Sequence, residues 1–161
     1  MDAPTLLTLV LACAPQVAPS TAQALIATES AGKPWAIGVV GGRLERQPRT
    51  RAEALTTARA LDASGWNFSV GLGQINVHNF QRLGLTLDTA FEPCTNLTAM
   101  QAVLTQCMER AHTRKRRPIN MTAHADQTSL RKTLSCYYSG NFVTGFEHGY
   151  VRRVLTAAQA P

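Results

Sequence analysis

One glutamate in this 161-residue chain has the surroundings of a general acid. Glu29 follows a mostly apolar stretch, residues 24–27, and is followed by Ser30 and, at position 32, a glycine. We expect it in the last turn of a helix, where partial burial and the negative helix end both raise the pKa of a carboxyl group. A general acid that works near neutral pH needs such a shift. From local sequence alone, a surface glutamate near a helix end is the competing interpretation.

A second candidate region is the segment NFSVGLGQIN, residues 67–76, which we predict to be irregular. Gly71 and Gly73 let the backbone adopt positive φ or approach a ligand closely, and so would shape the site. Gln74 and Asn76 offer amide donors and acceptors suited to a polar ligand. Hydrogen bonding of these amides within their own loop is the alternative.

Charge excludes little. The formal net charge of +6 favours polyanions, which include nucleic acid, anionic lipid and an acidic cell wall. The densest basic run comprises Arg110 and residues 114–117, and it ends at Pro118. We interpret it as a solvated loop, because no aromatic residue interleaves with it. We expect no nucleic-acid partner and no transmembrane segment.

The cysteines and histidines match no metal or redox motif. Four cysteines lack CxxC spacing, and four histidines form no HExxH pattern, so we predict no metal and no cofactor. An even cysteine count is compatible with two disulfides in three possible pairings, or with free thiols. The cysteines are Cys13, Cys94, Cys107 and Cys136.

The amino-terminal segment needs its own interpretation. TLLTLVLACA, residues 5–14, resembles the apolar core of a signal peptide, and its end resembles a lipoprotein cleavage site. However, Asp2 and the lack of a basic residue are the wrong flank for export. We predict instead a helix that starts after Pro4, a Cys13 without lipid, and an export signal that is not evident in this chain.

Helical patterns dominate the rest. Ser20 with Gln23, and Thr50 with Glu53, have capping-box spacing, and each predicts a helix start. The first of these helices should end at Gly32. Residues 36–42, AIGVVGG, suit a small hairpin or extended loop. Further helices are predicted over residues 128–138 and 146–157.

Asn96 is predicted to cap the clearest amphipathic helix. The whole pattern predicts a single, mainly α domain over residues 1–161, with a small irregular or β-hairpin insertion that lines a substrate cleft. The apolar face of the Asn96 helix comprises Leu97, Met100, Leu104, Cys107 and Ala111.

Four segments, in order, resemble the motifs of lytic transglycosylases with the goose-type lysozyme fold. They are ATESAGKPWAIGVVGG (27–42), GLGQIN (71–76), FEPCTNLTAMQAVL (91–104) and LSCYYSGN (134–141). The resemblance is strongest to the branch associated with type IV secretion and conjugation, through RQPRTRAEA (46–54) and GFEHGYVRRV (145–154). It implies an α+β, lysozyme-like fold and a periplasmic enzyme that opens peptidoglycan for a transenvelope machine, with secretion components as partners.

The resemblance also implies residue roles. Glu29 would be the single catalytic acid/base, and Tyr137 would contact it. Tyr138 departs from the family, which commonly has asparagine there, so the sugar subsite would differ. The implied cysteine pairing is Cys13–Cys94 and Cys107–Cys136. Substrate-binding residues would be Ser30, Gln74, Ile75, Asn76, Tyr137 and Tyr138.

Two rival functions remain open. A hydrolytic lysozyme would need a second carboxylate, for which Asp62, Asp88 and Glu92 are available, although a cap or surface role explains each. A non-catalytic wall-binding assembly factor would keep the fold without turnover, and Tyr138 is the sequence feature that favours it.

Overall fold

The computed structural model describes residues 1–113 and 123–159, and side chains over residues 1–112 and 127–159. The chain divides into two compact units, Met1–Met100 and Gln101–Pro161. The basic residues Arg114, Lys115, Arg116 and Arg117 lie outside the described residues. Both units are built largely from helices, and the first also holds a small antiparallel sheet, which confirms the predicted fold class.

The first unit begins with helix α1, Ala3–Cys13. The carboxylate of Asp2 caps it by accepting a hydrogen bond from the backbone N–H of Thr5 at 2.9 Å. The helix predicted to start after Pro4 therefore begins one residue before it, because proline is well tolerated in a first helical turn. Helix α1 packs against α2, Pro19–Ser30.

The predicted Ser20 cap of α2 is wrong. The N-cap is Ala18, which makes no side-chain cap bond, and Pro19 is the first helical residue. Proline needs no cap partner for its missing N–H, and its fixed φ starts a helix. The helix ends as predicted, since Ala31 and Gly32 have φ values of 51° and 72°.

The Thr50 cap of α3, Arg51–Ala63, is confirmed. The Thr50 hydroxyl accepts a hydrogen bond from Glu53 N at 3.2 Å. The Glu53 carboxylate, however, accepts from Arg49 N at 2.8 Å. The helix buries Ala54, Leu55 and Ala58.

Three short strands form one sheet in the order β1-β2-β3: β1 is Ile37–Val39, β2 is Phe68–Val70 and β3 is Ile75–Asn76. Strand β1 pairs with β2, about 30 residues later in the sequence, so no local hairpin forms at AIGVVGG. The hairpin is instead β2–β3, inside the segment that we predicted to be irregular. Phe68 and Val70 are buried on either side of Ser69, which is the period-2 pattern that a half-buried strand requires.

Two short helices follow, α4 at Phe80–Leu83 and α5 at Leu87–Ala90. Helix α6, Pro93–Thr113, begins in the first unit and continues into the second. Asn96 is therefore inside the first turn and is not its cap. The predicted apolar face is confirmed, because all five of its side chains are buried: Leu97, Met100, Leu104, Cys107 and Ala111.

The second unit adds α7 (Ala123–Ser139), α8 (Thr144–Glu147) and α9 (Tyr150–Ala157). Helix α7 packs against α8 and α9. The single helix predicted over residues 146–157 is divided, because Gly149 adopts a left-handed φ of 68°. No helix in the described parts of the chain is long and apolar enough to cross a membrane.

Two disulfides confirm the cysteine pairing that the resemblance implied. Cys13 bonds to Cys94 within the first unit, and Cys107 bonds to Cys136 within the second. The first joins the end of α1 to the start of α6, and the second joins α6 to α7.

Candidate active site

Glu29 lies in the last turn of α2, as predicted, and its side chain is half-buried. The next residue, Ser30, is buried with 6% of its surface exposed, and its hydroxyl donates to the carbonyl of Ile26 at 3.1 Å. The Ser30 hydroxyl hydrogen is therefore used within the helix, and a ligand bond to this serine would have to use its hydroxyl oxygen as an acceptor.

Two tight turns lead from the end of α2 into the sheet. Lys33 N donates to Ser30 O at 3.1 Å, and Ala36 N donates to Lys33 O at 3.2 Å. Ala36 is buried and immediately precedes β1. The backbone between Glu29 and Ala36 is thus short and held by its own hydrogen bonds.

Ala36 holds the turn between β2 and β3, residues 71–74. Gly71 N donates to the carbonyl of Ala36 at 2.9 Å, and Gln74 Nε2 donates to the same carbonyl at 3.1 Å. Gln74 Nε2 also donates to Gly71 O at 3.0 Å, across the turn. Gly71 and Gln74 have φ values of 81° and 49°, so the turn uses the left-handed region at both ends. The turn is therefore fixed to the segment that follows Glu29.

Asn96 holds the same turn, although its sequence context predicts only a capping role. Its side chain is 1% exposed and makes three hydrogen bonds. Oδ1 accepts from Gly73 N at 2.7 Å, and Nδ2 donates to Val70 O at 3.0 Å and to Ala90 O at 2.8 Å. A signal was available: Asn96 stands four residues before Met100 on the apolar face of α6, where an amide must find buried partners.

The other predicted residues of the hairpin are engaged internally. Ile75 is buried, with 2% exposed, and pairs with Val70 in the sheet. The Asn76 amide donates to Asn67 Oδ1 at 2.7 Å, and its oxygen accepts from His78 N at 3.0 Å. Loop-internal bonding of Gln74 and Asn76 is therefore present, and additional ligand bonds would use the remaining acceptor capacity of their oxygens.

Tyr137 and Tyr138 belong to the second unit, in α7. Tyr137 is half-buried. Tyr138 is 41% exposed, and its ring stacks on that of Tyr150 with centroids 4.5 Å apart and 19° between the planes. Its hydroxyl lies 3.2 Å from Nδ1 of His148. Tyr138 is thus an exposed ring with a fixed orientation.

The acids proposed for a hydrolytic alternative lie at the surface. Asp88 pairs with Arg59 at 3.1 Å, and Glu92 pairs with Arg51 at 2.9 Å. Asp62 is exposed. Within residues 1–112 and 127–159, no three His, Cys, Asp or Glu side chains gather where they could share a metal ion. Glu29 is the acid whose helix leads, through residues 30–36, to the carbonyl that holds the 71–74 turn.

Comparison with known proteins decides the family. Residues 8–155 match the family described as "Transglycosylase SLT domain". The chain belongs to this family. The match covers most of the sequence, including Glu29, the 71–74 turn, Asn96 and both tyrosines.

Curated relatives of this SLT domain carry a common name. The "Type IV secretion system protein virB1" of Brucella abortus is 45% identical over 151 residues, which cover 91% of this chain and 60% of the relative. The "Protein virB1" of Agrobacterium fabrum is 41% identical over 149 residues, or 91% of this chain and 56% of the relative. The chain therefore spans about three fifths of the length of these relatives. No solved structure matches it.

Proposed function

We propose that this SLT domain is a lytic transglycosylase that cleaves the β-1,4 bond between N-acetylmuramic acid and N-acetylglucosamine in peptidoglycan. The observation that carries the proposal is the position of Glu29. It is a half-buried carboxyl group at the end of α2, followed by a short segment whose Ala36 holds the 71–74 turn. An acid joined through a short, internally bonded segment to a fixed polar turn suits one proton donor acting on a bound sugar.

The reaction needs one acid/base group. Protonated Glu29 donates its proton to the glycosidic oxygen as the bond from that oxygen to C1 of the muramic residue breaks. The muramic 2-acetamido oxygen bonds to C1 from the opposite face, as in substrate-assisted glycosidases. The Glu29 carboxylate then takes the proton of the C6 hydroxyl, O6 bonds to C1, and the acetamido oxygen leaves. The product is a 1,6-anhydromuramic end, and Glu29 is protonated again.

The surface ion pairs of Asp88 and Glu92 favour this reaction over hydrolysis, which would require a second carboxylate to activate water. We assign substrate binding to Ser30, Gln74, Ile75, Asn76, Tyr137 and Tyr138. Ile75 would contribute through its main chain, since its side chain is buried. Gly71 and Gly73 shape the turn and take no part in the chemistry.

We place this activity in the periplasm, where it opens the cell wall for a type IV secretion or conjugation apparatus. The name of the Brucella abortus relative, a type IV secretion system protein, supports this context. The two disulfides support the compartment, because disulfides persist in oxidising environments such as the bacterial periplasm.

Mass spectrometry of digested peptidoglycan tests the proposal. The wild type should release anhydro-muropeptides. Glu29→Gln should lower the amount released by about 10²-fold or more, because it lacks the general acid. Glu45→Gln, which removes an exposed carboxylate outside the site, should match the wild type. Reducing ends instead of anhydro ends would establish hydrolysis. Binding without product in wild type and Glu29→Gln alike would favour the assembly factor.

A further inference from the structure

We propose that Asn96 is a positioning residue of the active site, which sets the 71–74 turn against the segment carrying Glu29. The inference rests on the proposed function, since it concerns the site of that reaction. Asn96 does not touch the reacting atoms in this account. It acts through the turn.

Asn96 binds three separate stretches of the chain with one amide. Its partners are Val70 at the end of β2, Gly73 in the turn, and Ala90 at the end of α5. Each bond is between 2.7 and 3.0 Å long, and the side chain is almost completely excluded from solvent. Because the Asn96 amide is buried, no water can replace a lost hydrogen-bond partner. Each of the three bonds therefore restrains the position of the backbone group that it contacts.

The Asn96 side chain packs so closely against the turn that Gly71 has no room for a side chain. A Cβ added to Gly71 would overlap Asn96 Nδ2 and Cγ. Gly71 therefore meets two requirements at once: a left-handed φ of 81° and close approach of the Asn96 amide. The contact with the Asn96 side chain therefore restricts the position of the 71–74 turn.

On its other side the same turn is bonded to Ala36, which receives hydrogen bonds from Gly71 N and Gln74 Nε2. The turn is thus held between Asn96 and the segment that continues from Glu29. Removal of the Asn96 side chain leaves the bonds between the turn and Ala36 intact. The turn loses its bond to Asn96, however, and can shift. Gln74 and Asn76, at and just beyond the end of the turn, would lose their alignment with Glu29.

The test compares Asn96→Ala, Asn96→Asp and Leu55→Ala by kcat and KM for a soluble glycan substrate, each at a temperature where it is folded. Asn96→Ala loses all three bonds. Asn96→Asp keeps the acceptor for Gly73 N but sets a carboxylate against two carbonyls, so we expect it to be the less stable of the two. Leu55→Ala removes a buried side chain of α3 that makes no hydrogen bond to the turn, and so controls for stability alone.

A positioning role predicts that activity follows the Gly73 bond and not stability. Asn96→Ala should lower kcat/KM about 10²-fold, with KM raised, as expected for displaced site groups. Asn96→Asp should keep a KM nearer that of the wild type despite its lower stability. Leu55→Ala should leave KM unchanged.

Three outcomes overturn the inference while leaving the proposed function intact: unchanged KM in both Asn96 variants, activity that ranks strictly with stability, or failure of both variants to fold. In the last case Asn96 belongs to the fold and not to the site. A wild type that yields no anhydro product removes the proposed function itself, which is a separate result.

Discussion

The side-chain amide of Gln74 and the main-chain carbonyl of Ala36 lie 3.1 Å apart, although the residues are separated by 38 positions in the sequence. This bond joins the turn between β2 and β3 to the segment that leads back to Glu29. Because Gln74 has a φ of 49°, an unusual value outside glycine, the bond also helps to hold a backbone conformation that side chains disfavour.

Gln74→Glu should therefore destabilise the protein by about 1–3 kcal/mol, because it replaces an amide donor by a carboxylate that faces two carbonyl oxygens. Denaturant unfolding measures this loss. Gln74→Gly is the matched variant, since it relieves the left-handed strain while losing the same bonds, and should be less destabilising than Gln74→Glu. Equal losses in the two would contradict both the strain of the left-handed backbone and the repulsion between the carboxylate and the two carbonyls.

Gly71→Ala should be more destabilising than Gly65→Ala, although the two glycines have similar φ values of 81° and 72°. Both variants incur the left-handed penalty of about 1–2 kcal/mol for a residue with a Cβ. Only Gly71→Ala adds overlap with Asn96, worth about 1–3 kcal/mol more. Gly65 has no neighbouring atom within 4 Å of such a Cβ. Free energies of unfolding from urea titration check this, and the idea fails if the two variants match.

Glu53 should make the stability of the folded protein depend on pH in the acidic range. The Arg46 guanidinium, followed by the hydrogen bond from Arg49 N, lowers the pKa of the Glu53 carboxyl from 4.5 to about 2. A carboxyl whose pKa is lowered by folding stabilises the folded state above its ordinary pKa. That contribution is lost as pH falls from about 4.5 towards 2.

Melting temperatures of wild type and Glu53→Gln, recorded between pH 6 and 2, measure this dependence. The wild type should melt higher at pH 6, and the gap should close as the solution is acidified. Glu45→Gln serves as control, because it removes an exposed carboxylate next to Arg46 and leaves the Arg46–Glu53 ion pair in place. A gap that stays constant down to pH 2 would contradict the ion-pair explanation.

Loss of the Cys13–Cys94 disulfide should destabilise the protein by about 4.5 kcal/mol, by the chain-entropy relation for a separation of 81 residues. The paired variant Cys13→Ser/Cys94→Ser, unfolded in urea, gives the value. Cys107→Ser/Cys136→Ser, with a separation of 29, should cost less. The reverse ranking would mean that ring size is not the dominant factor.

The longer helices α1, α2, α3, α6 and α7 and the position of Glu29 were predictable from the sequence, because both depend on neighbouring residues. The apolar residues before Glu29 and the glycine at position 32 are sufficient to place it in a last helical turn. The α2 start was predicted at Ser20 and lies at Pro19, although proline at the first helical position is itself a known start signal.

The structural features that were predicted wrongly depend on residues distant in the sequence. The partner of β1 is β2, and no local pattern at Ile37–Val39 specifies a strand about 30 residues later. Asn96 has the sequence context of a cap. Its true role requires the ends of β2 and α5 to meet around it, which tertiary packing alone determines. The cysteine pairing came from the family resemblance, because spacing left three possibilities open.

The Cys13–Cys94 bond closes a covalent ring that contains Glu29, the sheet and the 71–74 turn. Most side chains between Val40 and Pro48 are exposed, so this stretch is a part of the ring that a protease can reach. A single cut there would yield two pieces that cannot diffuse apart, with Glu29 on one and Gln74 on the other. The nicked protein would stay covalently linked until a reductant opened the ring, so proteolysis and reduction would separate Glu29 from Gln74 only in combination.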